Sequence, residues 1–156
     1  MPGTRSSATN ADDVITVTNN NGVDTVSGLP QEVTISNFEA NDRIVINGLG
    51  GDDAIVASGL TGMLLPANGG DGDDVLIGGI GIDDLQGGDG NDTYYIDRND
   101  KISDSSGIDT VVVADSGITY RLGKDIENGG IDAPRASIVV HTDHRCVRDV
   151  SNATTR

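Results

Sequence analysis

Gly69-Gly70-Asp71-Gly72-Asp73-Asp74-Val75-Leu76-Ile77 runs without a gap into Gly78-Gly79-Ile80-Gly81-Ile82-Asp83-Asp84-Leu85-Gln86, and then into Gly87-Gly88-Asp89-Gly90-Asn91-Asp92-Thr93-Tyr94-Tyr95. All three nonapeptides read G-G-x-G-x-D-x-U-x, with U a large apolar residue. In the first six positions, three glycines let the backbone turn through positive φ without a Cβ clash. The turn thereby aims carbonyl oxygens inward, and the aspartate at position six adds a carboxylate at its end. The last three residues form a short strand with one inward side chain: Leu76, Leu85 or Tyr94. Nine residues make half a coil, so turns alternate between the two edges of a flattened right-handed roll. Turns two repeats apart then stack at roughly 4.8 Å, the spacing between strands.

The period extends outward from this block. An imperfect copy, Asn47-Gly48-Leu49-Gly50-Gly51-Asp52-Asp53-Ala54-Ile55, starts 22 residues before Gly69, with one longer half-coil through Met63-Leu64-Leu65 between them. Short β-branched runs at Val14–Val17, Val23–Val26, Val33–Ile35, Ile44–Ile46 and Ala54–Val56 are separated by Asn, Gly, Asp or Pro. Thr110–Val113 and Ile118–Leu122 also read as strands. Strands this short cannot bury an apolar face singly, but a stack of them can. No window carries a 3.6-residue apolar period. The expected fold is all-β, a parallel β-roll or β-solenoid with Gly-Asp-rich turns and little or no helix. The expected organisation is a flexible stretch over 1–13, degenerate coils over 14–46, repeats over 47–97, a further β segment over 98–128 and a disordered or atypical tail over 129–156. Ile138-Val139-Val140 is the one further strand candidate in that tail.

Composition narrows the function. Of 156 residues, 22 are Asp, only three are Glu and 22 are Gly, with a formal net charge of −15. Aspartate competes with the helical backbone for hydrogen bonds, so this acid belongs to turns rather than to a solvated helix face. Residues 44–97 hold ten Asp and no Lys or Arg. Neither nucleic acid nor an anionic membrane surface is a fitting partner, because both need a basic footprint. No run of 18 apolar residues allows a transmembrane helix, and the polar stretch Met1–Asp13 does not read as a cleaved secretory signal. The single Cys146 forms no internal disulfide. His141-x-x-His144-x-Cys146 fits no metal-site spacing, and Asn152-Ala153-Thr154 matches a glycosylation acceptor in form only. H-E-x-x-H, G-x-S-x-G and P-loop motifs are all absent from the sequence. A non-enzymatic chain is therefore expected.

Stacked turns place carboxylates and carbonyls around shared intervals. All-oxygen coordination of this kind is the pattern of calcium. Without a cation the same geometry sets Asp against Asp, and such pairs repel by about 1 kcal/mol even in water. The repeats should then fold poorly without metal, with metal binding supplying folding free energy.

Residues 69–95 resemble the hemolysin-type calcium-binding repeat of the RTX proteins. Asn41-Asp42-Arg43-Ile44-Val45-Ile46-Asn47-Gly48 leading to Ala57-Ser58-Gly59-Leu60 is similar to a segment that often precedes such repeats. Asp109-Thr110-Val111, Tyr120-x-Leu122-Gly123 and Glu127-Asn128 are similar to a motif that often follows them. The resemblance implies Ca²⁺ held by carbonyls at positions two and four and by the position-six carboxylate. By position these are Gly70, Gly72 and Asp74; Gly79, Gly81 and Asp83; Gly88, Gly90 and Asp92; and, upstream, Gly48, Gly50 and Asp52. Turns ending in Asp52, Asp74 and Asp92 would stack on one edge and give two strong sites, with Asp74 shared by both. Asp83 on the other edge would contribute weaker ones. The resemblance further implies a secreted bacterial module, exported without a cleaved N-terminal signal, that folds on meeting extracellular calcium. Two other readings stay open: an accessory repeat of an extracellular protease, lipase or polysaccharide-modifying epimerase, and a calcium-stiffened adhesin with a host-cell or polysaccharide target.

Overall fold

Turn glycines and aspartates alternating with β-branched runs produce short strands and, among the described residues, no helix. The computed structural model describes residues 4–30, 32–39, 41–133, 136–139 and 148–149. The strands of its first half are β1 (Thr4–Ser7), β2 (Val14–Asn20), β3 (Val23–Ser27), β4 (Val33–Ser36), β5 (Ile44–Gly50), β6 (Ala54–Val56), β7 (Leu65–Asp71) and β8 (Val75–Ile77). Those of the second are β9 (Asp83–Asp89), β10 (Thr93–Ile96), β11 (Lys101–Ser103), β12 (Thr110–Val113), β13 (Thr119–Arg121), β14 (Asn128–Ile131), β15 (Ser137–Val139) and β16 (Arg148–Asp149).

One sheet has the order β1-β5-β7-β9-β11, all parallel. The other runs β16-β14-β12-β10-β8-β6-β2-β3-β4 and is parallel from β16 to β2. The chain passes from a strand of the first sheet, through a turn, to a strand of the second, and returns through a turn on the opposite edge. This is the expected parallel β-roll. The inward residue of each strand stacks on its equivalent one coil away. In the second sheet that column is Ile15, Ile55, Leu76, Tyr94 and Val111, each at most 1% exposed. Ile46, Ala67 and Leu85 form the facing column. Parallel strands need crossovers, and here the crossover is half a coil.

The first 50 residues depart from simple coils. Asn21 (φ 52) and Gly22 (φ 80) make a two-residue hairpin turn, the Asn-Gly chemistry that fits two consecutive positive φ angles. It folds β3 antiparallel onto β2, and β4 antiparallel onto β3. Coils were expected over 14–46; an antiparallel meander inserted into the roll is found instead. Before it, within the stretch expected to be flexible, β1 pairs with β5 from Thr4↔Ile44 to Ser7↔Asn47. Beyond Asn128, β14 pairs with β12 and β15 with β13, so the ladder continues into the segment expected to be a tail.

Candidate metal centre

Four turns stack on the edge where the first sheet passes into the second: residues 48–53, 69–74, 87–92 and 104–109. Register fixes the alignment, with Leu49↔Gly70, Gly70↔Gly88 and Asp89↔Ser106. Position two of the middle turns is Gly70 (φ 125) and Gly88 (φ 124), and position four is Gly72 (φ 131) and Gly90 (φ 134). A Cβ on Gly88 would strike the carbonyl oxygen of Gly70, and one on Gly90 that of Gly72. The turn carbonyls therefore point along the stack at the backbone of the next coil. Position one is glycine for another reason. A Cβ at Gly48, Gly69 or Gly87 would collide with Oδ2 of Asp53, Asp74 or Asp92, each of which folds back over the start of its own turn.

Two side-chain ladders stitch these turns together. In the inner one, the backbone N–H groups of Asp13, Asp53 and Asp74 each donate, at 2.8 Å, to Oδ1 of Asp53, Asp74 and Asp92 respectively. It continues at 2.9 Å from Asp92 N–H to Asp109 Oδ1 and from Asp109 N–H to Glu127 Oε2. The outer ladder runs the opposite way. Asp52, Asp73, Asn91 and Ile108 donate their N–H groups to Oδ1 of Asp12, Asp52, Asp73 and Asn91 at 3.0, 2.9, 2.7 and 3.0 Å.

These contacts correct the upstream alignment by one residue. The column beneath Asp74 is completed by Asp53, not Asp52, which lies in the outer ladder. Gly48 takes position one and Gly50 position three; positions two and four fall to Leu49 (φ 86) and Gly51 (φ 105). Asp74 and Asp92 stand where expected, with Gly70, Gly72, Gly88 and Gly90 beside them. The column also extends past the repeats to Asp109, through the turn Asp104-Ser105-Ser106-Gly107-Ile108-Asp109. Sequence reasoning missed Asp104 and Asp109. Gly107-x-Asp109-x-Val111 preserves half of the motif, but it follows the previous copy after 17 residues instead of 18.

Each carboxylate spends one oxygen on the ladder. The second oxygens of Asp53, Asp74 and Asp92, together with Oδ2 of Asp104, are buried without a protein partner. A fifth such atom among the described residues is Asp24 Oδ2, in the hairpin, where Asn19 Nδ2 donates to Oδ1 at 2.7 Å. Carboxylates of Asp92, Asp104 and Asp109 offer oxygens within 4.8 Å of one another. No protein-family model matches the chain, and no curated protein or solved structure does.

The opposite edge is built differently. Gly79, Gly81 and Asp83 lie there, away from the column. Asp83 Oδ2 accepts from Gly79 N–H at 2.7 Å, and Asp83 N–H donates to Asp100 Oδ1 at 3.1 Å. Asp100 Oδ2 accepts from Asp97 N–H at 2.8 Å. The position-six partner of Asp83 is thus Asp100, with Lys101 set against Asp84; this coil too is one residue short. On its other side Asp83 stacks on Leu65, and positions three and five are the exposed Ile80 and Ile82. Among the described residues, Asp83, Asp97 and Asp100 of this edge leave no buried carboxylate oxygen without a partner. The histidines at 141 and 144, the cysteine at 146 and the asparagine at 152 lie outside the described residues.

Burial is the leading cause that raises the carboxyl pKa of Asp74 to about 6, and of Asp92 and Asp109 to about 7. Neighbouring carboxylates add to it: Asp53 acts on Asp74, and Asp104 on both Asp92 and Asp109. An aspartate in an unfolded chain titrates near 4. Between about pH 4 and about pH 7 the metal-free roll therefore binds more protons than the unfolded chain, and its stability falls as pH rises through that window. In chelator, far-UV circular dichroism should show more residual β-structure at about pH 5.5 than at about pH 8. Equal spectra at the two pH values would mean that the buried carboxylates ionise without penalty.

Proposed function

We propose that the chain is a non-enzymatic calcium-binding β-roll of the RTX type, acting outside the cell and folding when Ca²⁺ occupies its acidic edge. The observation that carries this reading is the row of buried, unpartnered oxygens of Asp53, Asp74, Asp92 and Asp104 along one edge. Such atoms are rare in folded proteins and ask for a ligand. The donor set is oxygen alone, carboxylate and carbonyl, which suits a hard cation. Flexible high-coordinate oxygen sites favour Ca²⁺ over the smaller Mg²⁺, which holds out for octahedral geometry and its own water. Asp53, Asp74, Asp92 and Asp109 would hold the ion through their carboxylates. Carbonyls of Leu49, Gly51, Gly70, Gly72 and Gly90 would join them, whereas that of Gly88 already accepts from Ser106 N–H and Ser105 Oγ. Each divalent ion would move the formal charge of −15 two units toward zero, relieving the repulsion within the column.

Calcium titration by calorimetry on Asp92→Asn and Asp73→Asn tests this. Asn at 92 keeps an acceptor for the Asp74 N–H and removes only the charge. Asn at 73 copies Asn91, its neighbour in the outer ladder. The first substitution should weaken calcium uptake by about tenfold or more, on the scale by which ligand charge tunes such sites, and the second should change it little. Equal titrations for both variants and the wild type would overturn the reading.

A further inference from the structure

The fourth turn of the column breaks the pattern at its first residue. Register places Asp104 in line with Gly87, one step past Ser103↔Gln86. Gly48, Gly69 and Gly87 are bare at this position because a carboxylate of their own turn lies across them. Asp104 instead adds a third carboxylate, which meets Asp109 of its own turn and Asp92 of the turn before. Its Oδ1 is held from the protein side, accepting from the Tyr94 hydroxyl at 2.7 Å and from Gly88 N–H at 3.1 Å. That hydroxyl in turn accepts from Gly87 N–H at 2.8 Å. Oδ2 of Asp104 and Oδ2 of Asp92 are buried and unpartnered, and Asp92 is 1% exposed. Three converging carboxylates with two orphaned oxygens ask for more positive charge than the two-carboxylate intervals farther along the column.

We propose that Asp92, Asp104 and Asp109 form the primary cation site of the roll, the first to fill. This rests on the calcium reading of the column and goes past it by ranking the sites and assigning a residue outside the glycine repeat. Ligand charge count sets affinity in oxygen sites, so the three-carboxylate site outbids the others for Ca²⁺ and favours a trivalent lanthanide still more. Tyr94 makes the site visible. Its ring is fully buried between Leu76 and Val111, and its hydroxyl touches a ligand carboxylate, close enough to pass excitation energy to a bound Tb³⁺.

The test uses the full chain with Tb³⁺ and Ca²⁺ as probes. Under tyrosine excitation the wild type should show Tb³⁺ emission that Ca²⁺ displaces at far lower concentration than Mg²⁺ does. Tyr94→Phe should lower that emission several-fold, although Tyr95 and Tyr120 remain. Asp104→Asn and Asp104→Gly should each weaken the tightest calorimetric Ca²⁺ step by about tenfold or more and leave the later steps in place. Asp104→Gly restores the residue found at this position in three other turns, so it preserves the fold if Asn does not. An unchanged tightest step in both Asp104 variants would overturn the proposal while the calcium reading stands, as would emission that survives Tyr94→Phe. Equal weakening of every step by Asp104→Gly would also overturn it, because Asp104 would then serve the fold and no single site. A wild type that takes up no Ca²⁺ would sink both readings together.

Discussion

In excess chelator at about pH 8, the full chain is expected to show the far-UV circular dichroism of a largely disordered polypeptide, and added millimolar Ca²⁺ to produce a β-sheet spectrum. The size of the effect follows from the acidic edge. Four buried carboxylate oxygens lack partners there. Each such group costs about 1–3 kcal/mol, against a total stability of about 5–15 kcal/mol for a typical domain. Glycine-rich turns add the largest ordering entropy of any residue type. The opposing core is thin, built on one or two inward apolar residues per short strand, such as Leu76 alone or the pair Tyr94 and Ile96. Calcium sites in extracellular modules work at about 10⁻⁴–10⁻³ M, so the transition should fall in that range and Mg²⁺ should not reproduce it. An identical spectrum in chelator would mean that the apolar columns alone hold the roll together.

Gly88→Val is expected to be strongly destabilising. Gly88 sits at φ 124, a conformation that β-branched residues avoid, and its Cβ would meet the Gly70 carbonyl oxygen of the coil before. Neither backbone can yield, because β7 and β9 are paired on both sides of the contact. Backbone strain at such a site costs about 1–3 kcal/mol before the clash is counted. In saturating Ca²⁺ a total near 3 kcal/mol would lower the melting temperature by roughly 6–12 °C. Gly123→Ala is the control, since nothing lies within 4 Å of a Cβ there. Matching melting temperatures for the two variants would contradict the close stacking of the turns.

How legible was this in the sequence? Over residues 69–97 it was almost fully so: three identical spacings leave one alignment, and Leu76, Leu85 and Tyr94 occupy the core positions assigned to them. Upstream, Gly50-Gly51 and Asp52-Asp53 satisfy the template in two registers. Backbone conformation decides between them. Gly51 carries the positive φ of position four, and Leu49 takes a left-handed conformation where the repeat has glycine. No template would place a leucine there. Downstream, the coils shorten to 17 residues, so a fixed nine-residue count passes over Asp100 and Asp109 and lands on Lys101. The antiparallel insertion carried its own marker in Asn21-Gly22, masked by the regular spacing of the strands around it. Asp104 could not be read at all from the repeat, because its role comes from replacing a glycine.

The opposed directions of the two hydrogen-bonded ladders have a consequence for length. In an α-helix every peptide dipole points the same way, and the ends become poles. Here each neighbouring pair of turns is joined by one stitch pointing forward and one pointing back, so their dipoles cancel at every step. Extending the stack by another coil adds no terminal field from these bonds, and what limits how far such a structure can grow is the supply of counter-charge along its side.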